Sequence, residues 1–182
     1  GIANAYHGNL DVIFYYAGHG VPSEADKNAY LLPVDADGVR TEVCLSTKRL
    51  YQTLGELNAK NVVVFMDACF SGAQRGEDML ASARGVALKV KAEVPQGNTI
   101  VFSAATGEET AFPYKEKGHG MFTYFLLKKL QESKGEATLG ELGEYVSDEV
   151  AKQSIVINHK SQTPTVICSE TMQNWKEIKL KK

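Results

Sequence analysis

The run Val62-Val63-Val64-Phe65-Met66 constrains the fold more than any other part of this chain. It is continuously apolar, rich in β-branched residues, and has no polar alternation. A strand covered on only one face would alternate. This pattern fits a strand buried on both faces, as in the parallel sheets of α/β proteins. Residues 11–17 and 99–104 have the same character. Helical patterns are interleaved with these runs. Ser46 is a candidate N-cap for a helix through Leu57, with Leu50, Leu54 and Leu57 on one face. Residues 120–130 place Phe122, Phe125, Leu126 and Leu130 inward. Thr138 and Glu141 have capping-box spacing ahead of a helix over 139–153. Residues 29–34 read as a short extended piece ending at Pro33, and 162–167 as an edge strand, since Pro164 removes a ladder donor. Strands alternating with helices predict an α/β fold, with a mostly parallel sheet and helices on both faces. Residues 71–98 have little periodicity and read as a long loop.

The chain of 182 residues is the size of one domain, and no repeat or linker divides 1–182. A net charge of −2 without a basic cluster argues against nucleic acid and against an anionic membrane surface as partners. The apolar runs fall well short of the roughly 20 residues that span a bilayer. Three cysteines, widely spaced and without a CxxC pair, fit neither a disulfide framework nor a cysteine zinc site, and suit a reducing, cytoplasmic setting. No glycine-rich phosphate loop follows any strand, which argues against a nucleotide-binding domain.

In an open α/β sheet, sites lie beyond the carboxyl ends of the strands. Two such ends carry reactive side chains. One strand leads into Gly18-His19-Gly20, where the glycines are expected to make a sharp turn that exposes the ring. The other leads into Asp67-Ala68-Cys69-Phe70-Ser71-Gly72. If the strands are neighbours, imidazole and thiol face one cleft, where the imidazole can activate the thiol as a nucleophile. His7, His119 and His159 are competing bases; His119 opens a helix and reads better as a turn residue. Cys44 and Cys168 read as packing. The segment from Ser103 to Thr110 follows the third strand at the same sheet end, as either a cleft wall or a polar surface loop.

The segments Tyr15-Tyr16-Ala17-Gly18-His19-Gly20 and Val64-Phe65-Met66-Asp67-Ala68-Cys69-Phe70-Ser71-Gly72 resemble the catalytic His and Cys motifs of the caspase/metacaspase clan of cysteine peptidases. Supporting stretches are Tyr30-Leu31-Leu32-Pro33-Val34-Asp35, Phe102-Ser103-Ala104-Ala105, Gly120-Met121-Phe122-Thr123-Tyr124 and Gln162-Thr163-Pro164. The order, with His about 50 residues upstream of Cys, is that of caspases. The resemblance implies a three-layer caspase-like sandwich. It also implies a cysteine endopeptidase acting on a peptide or protein through an acyl-enzyme. Cys69 would be the nucleophile and His19 the general acid/base, with the oxyanion held by backbone N–H groups of Gly20 and Cys69.

The sequence departs from true caspases where their Q-A-C-x-G motif has Gln, because Asp67 stands there. That resembles metacaspases, paracaspases and clostripain-like peptidases, which cleave after Arg or Lys. A carboxylate in the pocket would pair with a basic side chain and repel an acidic one. On this reading Asp67, Ala17, Ser103 and Ala104 line the substrate site, and Glu108 and Glu109 could favour basic residues upstream of the cleaved bond. The other reading of Asp67 is a structural carboxylate that accepts backbone N–H bonds. A catalytically silent scaffold and a legumain-like asparaginyl peptidase are the alternative functions, the latter opposed by Asp67.

The clan's fold opens with a strand and helix before the His-bearing strand, and only ten residues precede Asp11 here. An N-terminal segment of the same protein is therefore expected to complete the sheet. No cofactor or metal is assigned. Some metacaspases require calcium, but Glu77 and Asp78 are too few for a site that uses six or more oxygens. In the clan, self-processing falls in the segment after the Cys motif, where Arg75, Arg84, Lys89 and Lys91 lie. On incubation, the wild type should yield fragments ending at these residues while Cys69→Ala stays whole; identical intact masses for both would remove self-processing.

Overall fold

A computed structural model describes residues 2–23, 25–36, 40–70, 93–107 and 109–181. A single helical turn, α1 (Ile2–Ala5), precedes the long strand β1 (Asp11–Pro22). A hairpin leads to β2 (Ala29–Leu31), then to β3 (Leu45–Ser46) and α2 (Thr47–Gly55). The strands β4 (Asn61–Cys69) and β5 (Thr99–Ser103) follow, and then a small ribbon of β6 (Pro113–Tyr114) and β7 (His119–Gly120). The chain ends with α3 (Met121–Glu132), α4 (Leu139–Asn158) and β8 (Thr165–Cys168).

The six-stranded sheet has the order β3-β2-β1-β4-β5-β8. Its long central ladders, β1 with β4 and β4 with β5, are parallel. The short strands β2 and β3 at one edge and β8 at the other run antiparallel to their neighbours. Successive side chains of a strand point to opposite faces. Val62, Val64, Met66 and Ala68 pack with Leu50, Tyr51 and Leu54 of α2, against which Val12, Phe14 and Tyr16 of β1 also lie. Val63, Phe65 and Cys69 pack with Ile100 and Phe102 of β5 and with α3 and α4, through residues such as Phe122, Phe125, Leu142 and Val146. Every residue of β4 is buried, which is the physical reason its apolar run shows no alternation. The result is a three-layer α/β sandwich.

The expected caps form. Ser46 Oγ accepts the Arg49 N–H at 3.2 Å. Thr138 Oγ1 accepts the Glu141 N–H at 3.2 Å, while the Glu141 carboxylate accepts the Thr138 N–H at 2.8 Å. Some boundaries differ from expectation. The helix after Ser46 stops at Gly55, whose backbone lies against the Gln96 carbonyl, and Leu57 falls outside it. Helix α4 continues past 153 to Asn158 because nothing in the sequence breaks it before His159, which ends it in the left-handed region at φ 54°.

Among the described residues, β2 pairs with β1 only at Gly20, Val21 and Pro22, so residues 11–19 share a ladder with β4 alone. On this part of β1, Ile13 and Tyr15 remain 55% and 48% exposed.

Phe102 is fully buried, with Phe65 at 5.1 Å and Trp175 edge-on at 5.8 Å between ring centroids. Truncation should leave a cavity that packed helices on one side and the sheet on the other cannot close. Phe102→Ala is expected to lower unfolding free energy by about 3–5 kcal/mol, measured by urea denaturation.

Candidate active site

The β1–β4 ladder sets His19 directly across from Cys69, and Ala17 directly across from Asp67. Strands in a sheet lie about 4.8 Å apart, and residues in register present side chains on the same face. Neither strand ends where the sequence suggests. Both run on through these residues, and neither Gly18 nor Gly20 has a positive φ, so there is no turn. The glycines serve close approach instead. A Cβ on Gly18 would meet the Tyr16 hydroxyl at 2.7 Å, and one on Gly20 would collide with the Phe70 ring and the Cys69 carbonyl. Tyr16 crosses Gly18 to donate its hydroxyl to the His19 carbonyl at 2.9 Å and to the Leu32 carbonyl at 3.1 Å. The Leu32 N–H also donates to the His19 carbonyl, at 3.0 Å. Burial pushes the Tyr16 phenol pKa up, so it remains a donor at neutral pH. The His19 backbone is thus pinned while the residue stays exposed.

Cys69 is only 6% exposed. Its sulfur accepts the Ala111 N–H at 2.8 Å, and its thiol donates to the Ala111 carbonyl at 3.2 Å. Ala111 belongs to the segment that leaves β5 and passes over the nucleophile candidate. That segment begins at the half-buried Ser103 and at Ala104, which is fully buried and donates its N–H to the Met66 carbonyl at 2.9 Å. Gln162 is also fully buried. Its Nε2 donates to the Ala104 carbonyl, and its Oε1 accepts the Phe112 N–H, both at 2.8 Å. The sequence marked Gln162 by motif alone, and Ala111 carried no signal because it acts through its backbone.

Glu109 accepts the Thr163 N–H at 2.7 Å and its hydroxyl at 3.1 Å, so its carboxylate ties the segment to the chain after α4. Burial alone would raise its pKa, but hydrogen bonds from Thr163, Ser161 and Thr106 outweigh this and hold it below the usual value. The sign follows: the tie contributes fully above the ordinary carboxylate pKa and is lost as pH falls through the lowered one.

Asp67 has no solvent exposure. Its Oδ2 accepts the Thr123 N–H at 3.2 Å and the Thr123 hydroxyl at 2.6 Å, and Tyr15 and Thr123 share a hydroxyl hydrogen bond at 2.8 Å. Thr123 lies in the first turn of α3, whose N-cap is Gly120 and has no side chain to offer. Asp67 caps the helix from a neighbouring strand, where the N–H group and the helix dipole favour a carboxylate. A Cβ on Gly120 would collide with that carboxylate. The structure therefore displays the structural role of Asp67, beside an exposed Ala17.

The other histidines occupy backbone niches. His7 and His159 have positive φ, and His119 is exposed in β7 across from Tyr114. Cys44 donates weakly to the Arg40 carbonyl at 3.6 Å, and Cys168 lies on β8. Arg75, Arg84, Lys89, Lys91, Glu77, Asp78 and Glu108 lie outside the described residues. Among the described residues, no group of three His, Cys, Asp or Glu could hold a metal, and no helix is long and apolar enough to cross a membrane.

A three-layer α/β sandwich with histidine and cysteine in register at the carboxyl ends of adjacent parallel strands has the layout of a caspase-type cysteine hydrolase. The chain belongs to the Caspase domain family of peptidases, whose sequence profile matches residues 2–174. Comparison with curated protein sequences returns no match. The fold resembles that of protein GSU0716 from Geobacter sulfurreducens, with a TM-score of 0.65 and 15% identity, covering 97% of this chain and 74% of that one. It also resembles caspase-1 from Spodoptera frugiperda, with a TM-score of 0.56 and 15% identity, covering 91% of this chain and 63% of that one. At this identity the likeness is one of fold.

Replacing Thr123 tests the buried carboxylate. Thr123→Val keeps shape but removes the hydroxyl donor, and should lower stability by about 1–3 kcal/mol in thermal or urea unfolding, whereas Thr123→Ser should retain most of it.

Proposed function

We propose that the chain is a cysteine endopeptidase of metacaspase type that hydrolyses peptide bonds after Arg or Lys. The observation that carries this reading is the in-register pairing of His19 with Cys69. Cys69, as thiolate, attacks the scissile carbonyl, and His19 as imidazolium protonates the departing amine. Water then cleaves the thioester with His19 as base, releasing the acid and restoring the thiol. Backbone N–H groups of Gly20 and Cys69 hold the oxyanion, each worth roughly 3 kcal/mol. Ala17 and Ser103 line the substrate site with the buried Asp67 and Ala104 beneath them, and the Asp67 charge favours a basic residue before the cleaved bond. The reaction needs no cofactor.

An N-terminal segment of the same protein is proposed to pair along 11–19 of β1, supported by the unshared ladder and the exposed Ile13 and Tyr15 there. Three widely spaced cysteines without a CxxC pair support a reducing, cytoplasmic setting. One observation favours a second reading, a catalytically silent binding scaffold: the Cys69 sulfur is buried against Ala111.

An arginyl fluorogenic peptide separates them. Cys69→Ala and His19→Ala should each reduce kcat/KM by about 10³-fold or more. Asp67→Asn should reduce turnover of arginyl peptides on the order of 10²-fold more than that of peptides with a neutral residue there. Preference for an asparaginyl peptide would move the assignment to the legumain type. No turnover by a folded wild type whose Cys69 still alkylates would support the scaffold.

A further inference from the structure

We infer that Gln162 is a positioning residue for the Cys69 nucleophile, acting through the segment between Ala104 and Phe112; the role of Cys69 as nucleophile rests on the peptidase reading above.

A fully buried amide is unfavourable unless its polar atoms are bonded. Gln162 meets this condition in a specific way. Its Nε2 donates to the Ala104 carbonyl and its Oε1 accepts the Phe112 N–H, each at 2.8 Å. Ala104 and Phe112 are the two ends of the segment that crosses Cys69, so one side chain pins both. The Gln162 N–H is itself anchored on Ser154 Oγ of α4 at 3.1 Å. The next residue holds the segment at a further point, where Thr163 donates twice to Glu109. Ala111 lies between these fixed points, adjacent to Phe112, with its N–H 2.8 Å from the Cys69 sulfur.

The job requires a donor and an acceptor on one short side chain, aimed at a carbonyl and an N–H from different parts of a loop. An amide supplies both, whereas an ionised carboxylate only accepts. The consequence reaches the sulfur because the Ala111 N–H, the shorter contact at 2.8 Å, stabilises thiolate over thiol and outweighs the Ala111 carbonyl, which accepts from the thiol at 3.2 Å and favours the protonated form. When Gln162 releases the segment, Ala111 is free to withdraw that donor. Among the described residues, the charged and titratable groups facing this region are His19 on β1, Asp67 on β4 and Glu109 in the segment; a change at position 162 leaves the first two on the β1–β4 ladder, and Glu109 keeps its own tie to Thr163.

The test is the rate of iodoacetamide labelling at Cys69 from about pH 5 to about pH 10, read on the Cys69 peptide by mass spectrometry, with Cys44 and Cys168 in the same digest as controls. Gln162→Met keeps the bulk and removes the polar atoms. Its labelling profile should move to higher pH by about one unit, a roughly 10-fold loss of rate on the acidic side, with a comparable alkaline plateau. Glu109→Ala loosens the same segment from a less buried position and should move the profile the same way by less. Loss of its negative charge alone would move the profile the opposite way, so a rise reports geometry. An unmoved midpoint in Gln162→Met overturns the inference, even if the plateau rises or the melting temperature falls. If that variant does not fold, an unmoved or lowered midpoint in Glu109→Ala overturns it instead. Labelling needs no substrate: a shifted midpoint in a chain without turnover removes the peptidase reading but keeps the clamp, and turnover with an unmoved midpoint does the reverse.

Discussion

The parallel ladder between β1 and β4 is the constraint on which the rest depends. Its nine register pairs run from Asp11 and Asn61 to His19 and Cys69. A slip of one residue would send His19 to the opposite face of the sheet. The register is held at both ends and in between. Asn61 Nδ2 donates to Asp11 Oδ1 at 2.7 Å at the start, and Leu32 and Tyr16 fix the His19 carbonyl at the finish. In between, Val12, Phe14 and Tyr16 face the α2 side while Ile13, Tyr15 and Ala17 stay exposed, so a slip would reverse which set meets the core. The pairing of the two reactive side chains is thus a consequence of hydrophobic register rather than of contacts within the site.

Backbone closeness is the second theme. Gly18 admits Tyr16, Gly20 admits Phe70, and Gly120 admits the Asp67 carboxylate. Each glycine is required by what lies against it rather than by an unusual φ. At Gly120 the effect is electrostatic as well as steric. A helix with a glycine N-cap has unsatisfied N–H groups, and a strand carboxylate buried below it has no water. Each resolves the other's deficit. The charge of Asp67 therefore has a structural reason to be present, and any pairing with a basic substrate would draw on a carboxylate already held in place by α3.

The layers and the central strands were legible because burial on both faces leaves a continuous apolar run, and because Ser46, Thr138 and Glu141 announce their helices. His19 and Cys69 were legible because reactive side chains at the ends of such runs stand out. The extension of β1 and β4 through the site was not, because glycines next to histidine read locally as a turn, and only Tyr16 and Phe70, brought in by tertiary packing, reveal their purpose. Neither the α3 capping by Asp67 nor the engagement of Ala111 could be read locally. The first joins residues 56 positions apart, and the second is a backbone contact without a side-chain signature.

The two halves of the proposed dyad are held differently, and the difference has a mechanistic meaning. His19 has a pinned backbone and an exposed side chain, whereas Cys69 is enclosed by a segment secured from α4 and the residues after it. The imidazole can therefore meet solvent and substrate directly. Access to the sulfur depends on a segment whose position is set by Gln162 and Glu109, well outside the β1–β4 ladder. The sheet supplies the alignment of the two groups, and the α4 side of the molecule governs the surroundings of one of them. A change confined to the α4 side should accordingly alter the reactivity of Cys69 without altering where His19 stands.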